Sequence, residues 1–423
     1  MSSIAVNPHV ATWVISALAT AGVILRPFAW PEAVWAVTGA LALVVLDLLG
    51  PQAAWAGVLK GTDVYLFLLG MMLLAETARG EGLFDWLAAH ATRRAAGSAS
   101  RLFLLIYGVG TAVTVFLSND ATAVVLTPAV AAAVRTAKVA DPLPYLFICA
   151  LIANAASFVL PISNPANLVI YGDHMPSLLA WLPRFAIPSL LSIGTTYAVL
   201  RFTQRHALAR NDVATVIDTP RLSGTGKLAA LGLALTAAVL LGASGFGLQL
   251  GLPTAVCGVV TAAAVLVLKR AAPWAMLKDI SWGVLPLVAG LFVLVEALDG
   301  TGLIRGIADG LRTASEHGEA GASWGAGLLV AFGCNLVNNL PAGLMAGSAV
   351  AGAHVSDRIT SAILIGVDLG PNLSVTGSLA TILWLNALRR EGISVGAWRF
   401  LKLGALVMPP ALMLALAGLF IHA

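Results

Sequence analysis

Charge is what this chain has least of. Only 10% of its 423 residues are Asp, Glu, Lys or Arg, against about 25% in a soluble globular domain. Hydrophobic residues make up 59% and the mean hydropathy is +0.91. Those values exclude a soluble enzyme or a nucleic-acid-binding module and leave an integral membrane protein. The two-residue alternation of a transmembrane barrel is missing as well, so the spanning elements are helices, whose backbone groups pair internally. Cysteine is scarce: Cys149, Cys257 and Cys334 stand singly, without the spacing that metal sites use. They read as small packing residues inside helices, and a thiolate site for a soft ion would require all three to converge. No cofactor motif is present. Residues 1–9 lack a basic leader and no small-residue cleavage pattern follows the first apolar run, so that run reads as a retained first span.

What is present is a series of long apolar runs, organised around one stretch. From residue 102 to 134 the only formal charge is Asp120, near the middle. A single helix through this run would be about 50 Å long, well over the roughly 30 Å hydrocarbon core of a bilayer. Two spans and a turn would need more residues than it has. The economical reading is a re-entrant hairpin with Ser118-Asn119-Asp120 at its tip and Thr122 just beyond. Arg101 at one end and Arg135 and Lys138 at the other place both ends on one basic side. Three spans precede it, at residues 10–25, 33–49 and 64–78, with a polar, amphipathic interfacial segment at 79–100. The next run, within 143–175, contains Pro161 and Pro165, through which a helix cannot run straight. This broken helix carries Ser163, Asn164 and Asn167. Residues 178–202 close the first half, and 204–227 form the main polar loop.

The pattern then starts again. Residues 228–242, 254–268 and 284–298 follow the first three spans, and Glu76…Gly82-Leu83 returns as Glu296…Gly302-Leu303. A second hairpin run, 323–353, holds Asn338-Asn339. A second broken run, 359–388, is interrupted at Gly370-Pro371-Asn372, and its single formal charge is Asp368. A final span covers 400–421. The chain is therefore expected to be an all-α polytopic membrane protein of two repeats, 1–203 and 228–423, each with five crossings, a re-entrant hairpin and a broken helix. Five is odd, so the second repeat is inverted, about ten transmembrane helices are expected, and both termini share a side. Alternating the loops puts 19 of the 24 Lys and Arg residues on one side, which makes that side cytoplasmic and places both termini outside.

Four polar clusters then fall at membrane depth: Ser118, Asn119, Asp120 and Thr122; Ser163, Asn164 and Asn167; Asn338 and Asn339; and Asp368, Asn372, Ser374, Thr376 and Ser378. Hairpin tips and helix breaks leave backbone groups unpaired, and Asn, Ser and Thr side chains satisfy some of them and offer the rest to a small polar substrate. Capping of their own helix ends is the plain structural alternative for each residue. A carboxylate inside a membrane points to function, and one withdrawn from water takes up a proton more readily. Asp120 and Asp368 are therefore the candidate proton carriers. No Lys or Arg lies in any cluster, which favours a neutral or cationic substrate over an anion.

Phe116-Leu117-Ser118-Asn119-Asp120, Leu126-Thr127-Pro128, Asn338-Asn339-Leu340-Pro341 and above all Ile365-Gly366-Val367-Asp368-Leu369-Gly370-Pro371-Asn372, continuing through Gly377 to Leu385, resemble the ArsB-type arsenite efflux pumps of the ion transporter superfamily. The resemblance covers essentially the whole chain. It implies export of arsenite and antimonite from the cytoplasm across the inner (plasma) membrane, in exchange for protons. It also implies a site between the hairpin tips and helix breaks, and a soluble arsenite-stimulated ATPase as an optional partner. Some members carry Cys where this chain has Val367, which removes a thiolate bond at that position, and some carry Asp where it has Asn154, which bears on the number of protons moved. Two other readings stay open: a sodium- or proton-coupled transporter of a small anion or cation from the same superfamily, and an intramembrane aspartyl protease using Asp120 and Asp368.

Overall fold

The computed structural model describes residues 7–215 and 220–421. Residues 1–6, part of the N-terminal segment read above, and 216–219, in the polar loop, lie outside the described residues. In the first half the helices are α1 (Pro8–Leu25), α2 (Glu32–Val45), α3 (Pro51–Lys60), α4 (Thr62–Gly80), α5 (Leu83–Ala95), α6 (Ala99–Phe116), α7 (Asn119–Ala121), α8 (Thr127–Thr136), α9 (Leu143–Ala155), α10 (Pro165–Tyr171) and α11 (Leu178–Thr203). A wide helical turn, Thr122–Leu126, joins α7 to α8. After a short α12 (Arg205–Arg210) come α13 (Gly224–Gly245), α14 (Gly251–Lys269), α15 (Trp274–Asp279), α16 (Val284–Gly300), α17 (Leu303–His317), α18 (Glu319–Val337), α19 (Asn339–Ala353), α20 (Asp357–Leu369), α21 (Leu379–Arg390) and α22 (Ala397–Gly418). No strand occurs among the described residues.

Seven helices are long and apolar enough to cross a bilayer: α1, α6, α11, α13, α14, α18 and α22. Counting the bent pairs α3–α4 (47°) and α16–α17 (74°) as one span each gives nine. The count of about ten expected from sequence includes the two broken helices and leaves out the hairpin arms α6 and α18, so the two totals rest on different elements. Helix α2, with 14 residues, is about 21 Å long and shorter than the hydrocarbon core.

The order of elements from α13 to α22 repeats that from α1 to α11. Helices α9 and α20 each have 13 residues, with Asn154 and Asp368 one position from their ends. Asn164 and Ser378 stand immediately before α10 and α21 as their N-caps. The packing repeats too: α4 lies along α14, and α16 along α2. A glycine makes each approach possible. A Cβ on Gly70 would stand 2.2 Å from the Thr254 carbonyl oxygen, and one on Gly290 would stand 2.7 Å from the Ala36 carbonyl carbon. Small residues let helix backbones meet closely in lipid, where no hydrophobic force drives helices together.

The helices are interrupted at each expected hairpin tip. Helix α6 turns at Leu117-Ser118 into α7, and α18 turns at Asn338 into α19. Amphipathic α5 braces the first hairpin and α17 the second. The charged ends of the elements also sort into two groups. Arg79 pairs with Asp279, Lys269 with Glu81 and Arg135 with Glu391, while Lys60 pairs with Glu296, Arg184 with Asp357 and Arg358 with Glu319. The first set joins loops assigned to one side by sequence, and the second set joins loops assigned to the other.

Candidate functional site

Four helix N-termini meet inside the molecule: α7 at the first hairpin tip, α10 after the first break, α19 at the second tip and α21 after the second break. The first turn of a helix leaves backbone N–H groups unpaired, and here each is capped by a residue from the sequence clusters. Ser118 Oγ accepts from the Ala121 N–H (3.1 Å), Asn164 Oδ1 from Ala166 (3.0 Å), Asn338 Oδ1 from Leu340 (3.4 Å) and Ser378 Oγ from Thr381 (3.1 Å). Asn338 holds a left-handed φ of 73° to make its turn.

Between these N-termini lies a cavity of about 30 Å³ whose polar wall is Asn119, Asp120, Asn164 and Asn339. Its apolar sides come from Leu68 on α4 and from Val284 and Val288 on α16, helices that occupy equivalent places in the two halves. Asp120, Leu68, Pro165 and Val284 also line an adjoining cavity of about 80 Å³, whose far end is marked by Glu76 and Asp279. There Arg79 binds both acids, with its Nη2 2.7 Å from Asp279 Oδ2 and its Nε 2.9 Å from Glu76 Oε2.

The structure brings some sequence candidates to this cavity and assigns others to holding it together. Asp120 is partly exposed to both cavities and has no side-chain hydrogen bond or ion pair among the described residues. Asn119 Oδ1 accepts from the Asp120 N–H (2.9 Å), and its Nδ2 has no partner among the described residues. The Asn339 backbone N–H donates to the Gly377 carbonyl (2.8 Å), and its side-chain amide is unpartnered among the described residues. Asn164 lines the cavity but is committed, because its Nδ2 donates to Asp368 Oδ1 at 2.7 Å.

Asp368 itself does not reach the wall. It is 0% exposed, and its Oδ2 has no hydrogen-bond partner among the described residues. Thr122 bonds Thr114 within the first hairpin (2.8 Å), and Ser163 ties the first break to it through the Val115 carbonyl (2.9 Å). Asn167 Nδ2 spans the carbonyls of Ser157, Leu160 and Pro161. Asn372 accepts from Asn154 (3.0 Å) and donates to the Leu151 carbonyl (2.9 Å). Ser374 and Thr376 both bond Asn335 near the second tip, and Asn338 Nδ2 donates to the Thr376 carbonyl (3.1 Å). Asn154 and Asn335 belong to this framework and were left out of the sequence clusters. A lone amide in an otherwise apolar helix was the available signal for both.

The electrostatics follow from what is absent. No Lys, Arg or His lines either cavity among the described residues, and the ionisable lining is Asp120, Glu76 and Asp279. The four N-termini supply partial positive charge of about half a unit each. That offers no full cation to a multiply charged anion. No group of three His, Cys, Asp or Glu side chains comes together among the described residues, so the three cysteines form no shared thiolate site.

Comparison with known proteins places this architecture. The family model described as "Citrate transporter" matches residues 13–367. The chain belongs to the citrate transporter family. The arsenical pump membrane protein of Yersinia enterocolitica is 28% identical over 400 residues, covering 90% of this chain and 91% of the relative. Among solved structures, the YdaH transporter of Alcanivorax borkumensis aligns with a TM-score of 0.54 at 17% identity, over 87% of this chain and 86% of that one. MtrF of Neisseria gonorrhoeae aligns at 0.57 and 12% identity, over 99% and 96%. These two likenesses establish the fold. This citrate transporter family member is a multi-pass membrane transporter, and the resemblance to arsenical pumps read from its motifs holds in its relatives.

Proposed function

We propose that this transporter exports trivalent metalloid hydroxides, arsenite and antimonite, from the cytoplasm in exchange for protons, and so confers arsenic resistance. The observation that carries this reading is a cavity that, among the described residues, has an unpartnered Nδ2 on Asn119, an unpartnered side-chain amide on Asn339, one unpaired carboxylate at Asp120 and no cationic side chain. Citrate carries several negative charges and would need cations to replace its water. Arsenite is an uncharged trihydroxide at physiological pH, and its hydroxyls fit amide donors and acceptors and a carboxylate acceptor. The arsenical pump relatives agree with this choice of cargo.

In this mechanism ionised Asp120 accepts hydrogen bonds from substrate hydroxyls while Asn119 and Asn339 fix its orientation. A proton arriving from the outside removes the acceptor and favours release there. Asp368 is a second proton carrier, acting from behind the wall. With 19 of 24 basic residues on one side, that side is cytoplasmic. The larger cavity, ending at Glu76, Arg79 and Asp279, then faces the cytoplasm. Two inverted repeats exchanging access around the fixed cavity would complete the cycle. The loop 204–227 falls on the cytoplasmic side, where a soluble ATPase partner would dock. The test is accumulation in inverted membrane vesicles, acid inside and without sodium. Arsenite should accumulate and citrate should neither accumulate nor compete. Sodium-dependent movement of citrate would overturn the reading.

A further inference from the structure

Placing Asp368 behind the cavity wall raises the question of how its charge could be felt by the substrate. One side chain stands between them. Asn164 is 3% exposed and lines the cavity. Its Oδ1 accepts from the Ala166 N–H in the first turn of α10 (3.0 Å), and its Nδ2 donates to Asp368 Oδ1 (2.7 Å). We propose that Asn164 is a positioning residue that transmits the charge state of Asp368 to the cavity, by sharing one amide between that carboxylate and the N-terminus of α10. This rests on the proton-exchange reading above.

The repeat supplies the control. Ser378 occupies the equivalent place before α21, and its hydroxyl only caps its own helix, meeting the Thr381 N–H (3.1 Å) and Thr381 Oγ1 (3.2 Å). Asn154, the repeat counterpart of Asp368, bonds Asn372 instead of a helix cap. Capping therefore does not require the link to Asp368, and the first break has it where the second does not. The surroundings of Asp368 make the link sensitive to protonation. Besides Asn164, Ser157 and the Cys334 thiol on α18 lie beside the carboxylate, and no Lys, Arg, His or second acid does among the described residues. Oδ2 has no hydrogen-bond partner among the described residues, so a proton can settle there without displacing a bond. The Asn164 bond to Oδ1 then changes from charge-assisted to neutral and loses about half its strength. The amide is released to re-aim toward the cavity, together with Pro165 and Ala166 beside it.

Asn164→Ser installs the residue of the symmetric position: it keeps a cap and deletes the donor to Asp368. Arsenite binding to the purified full chain is measured across pH, with thermal melting as the check on folding. The Asp368-dependent limb of the binding profile, defined as the part that Asp368→Asn removes, should shrink about tenfold or more, or vanish, because the side chain that carries the charge state of Asp368 to the cavity is gone. Asn164→Asp preserves the shape but sets a second carboxylate against Asp368. The two would share a proton, so the limb should persist but move to higher pH by about one unit or more, and this variant decides the matter if Asn164→Ser does not fold. A wild-type profile in the folded Asn164 variants, while Asp368→Asn still removes the limb, overturns the proposal for Asn164 alone. A profile unchanged by Asp368→Asn overturns it together with the role of Asp368 in proton exchange.

Discussion

Asp120→Asn separates the chemistry of the cavity from the stability of the fold. Asp120 makes no side-chain hydrogen bond or ion pair among the described residues, so replacing it with the isosteric amide strands no partner and should leave the melting temperature unchanged or higher. Its effect should appear in binding. A hydrogen bond to a charged group is worth about 1.5–3 kcal/mol and a neutral one about 0.5–1.5 kcal/mol. Each substrate hydroxyl that loses the ionised acceptor therefore forfeits about 1–1.5 kcal/mol, or about five- to tenfold in affinity. Two such hydroxyls give about 30- to 100-fold. Wild-type affinity should also fall about tenfold per pH unit once the carboxylate is being protonated, whereas the variant should lose that limb. Calorimetry with arsenite at several pH values on detergent-purified protein reads both effects. An Asp120→Asn protein that binds arsenite with wild-type affinity and wild-type pH dependence would show that this carboxylate does not bind the substrate.

Other consequences concern the framework. Gly70→Val places branched carbon where a Cβ already stands 2.2 Å from the Thr254 carbonyl oxygen, so α4 must part from α14; a loss of about 1–3 kcal/mol or more is expected, read as a lower melting temperature, and unchanged melting would contradict the close approach. Asn154→Leu deletes the 3.0 Å bond to Asn372 Oδ1 and leaves a buried acceptor unpaired, at a cost of about 1–3 kcal/mol; melting by intrinsic fluorescence measures it, and a neutral result would mean the two breaks are not braced this way. Gly377→Ala sets a Cβ 2.5 Å from Pro371 Cα and 2.8 Å from Asn335 Oδ1, which should loosen the second hairpin tip and impair transport while the protein still reaches the membrane; full transport would show that this packing is dispensable.

The hairpin tips were legible because a carboxylate or paired amides in an uncharged run have few explanations in a membrane, and the breaks were legible because proline forces them. Which polar residues face the cavity was not. Asn119 and Asn339 line it while Asn167 and Asn372 fasten the breaks, yet both jobs require the same residue type at the same depth. Only the direction of each side chain distinguishes them. Asp368 was recognisable as a membrane carboxylate, but its position behind Asn164 depends on how α10 packs beside α20, which spacing along the chain does not encode. The apolar walls at Leu68, Val284 and Val288 left no sequence signal because they resemble every other span residue. The short helices α3 and α15 were absorbed into neighbouring turns, since six to ten residues give too little periodicity to separate from a loop.

In the proposed exchange a neutral metalloid moves one way because protons move the other. Proteoliposomes holding the purified protein, a pH-sensitive dye and arsenite inside, diluted into arsenite-free buffer without sodium, test it directly. Arsenite leaving through the protein should draw protons inward and acidify the lumen, and liposomes carrying Asp120→Asn should show no such acidification. Arsenite efflux with no change in internal pH, or efflux that occurs only when sodium is supplied, would contradict the account.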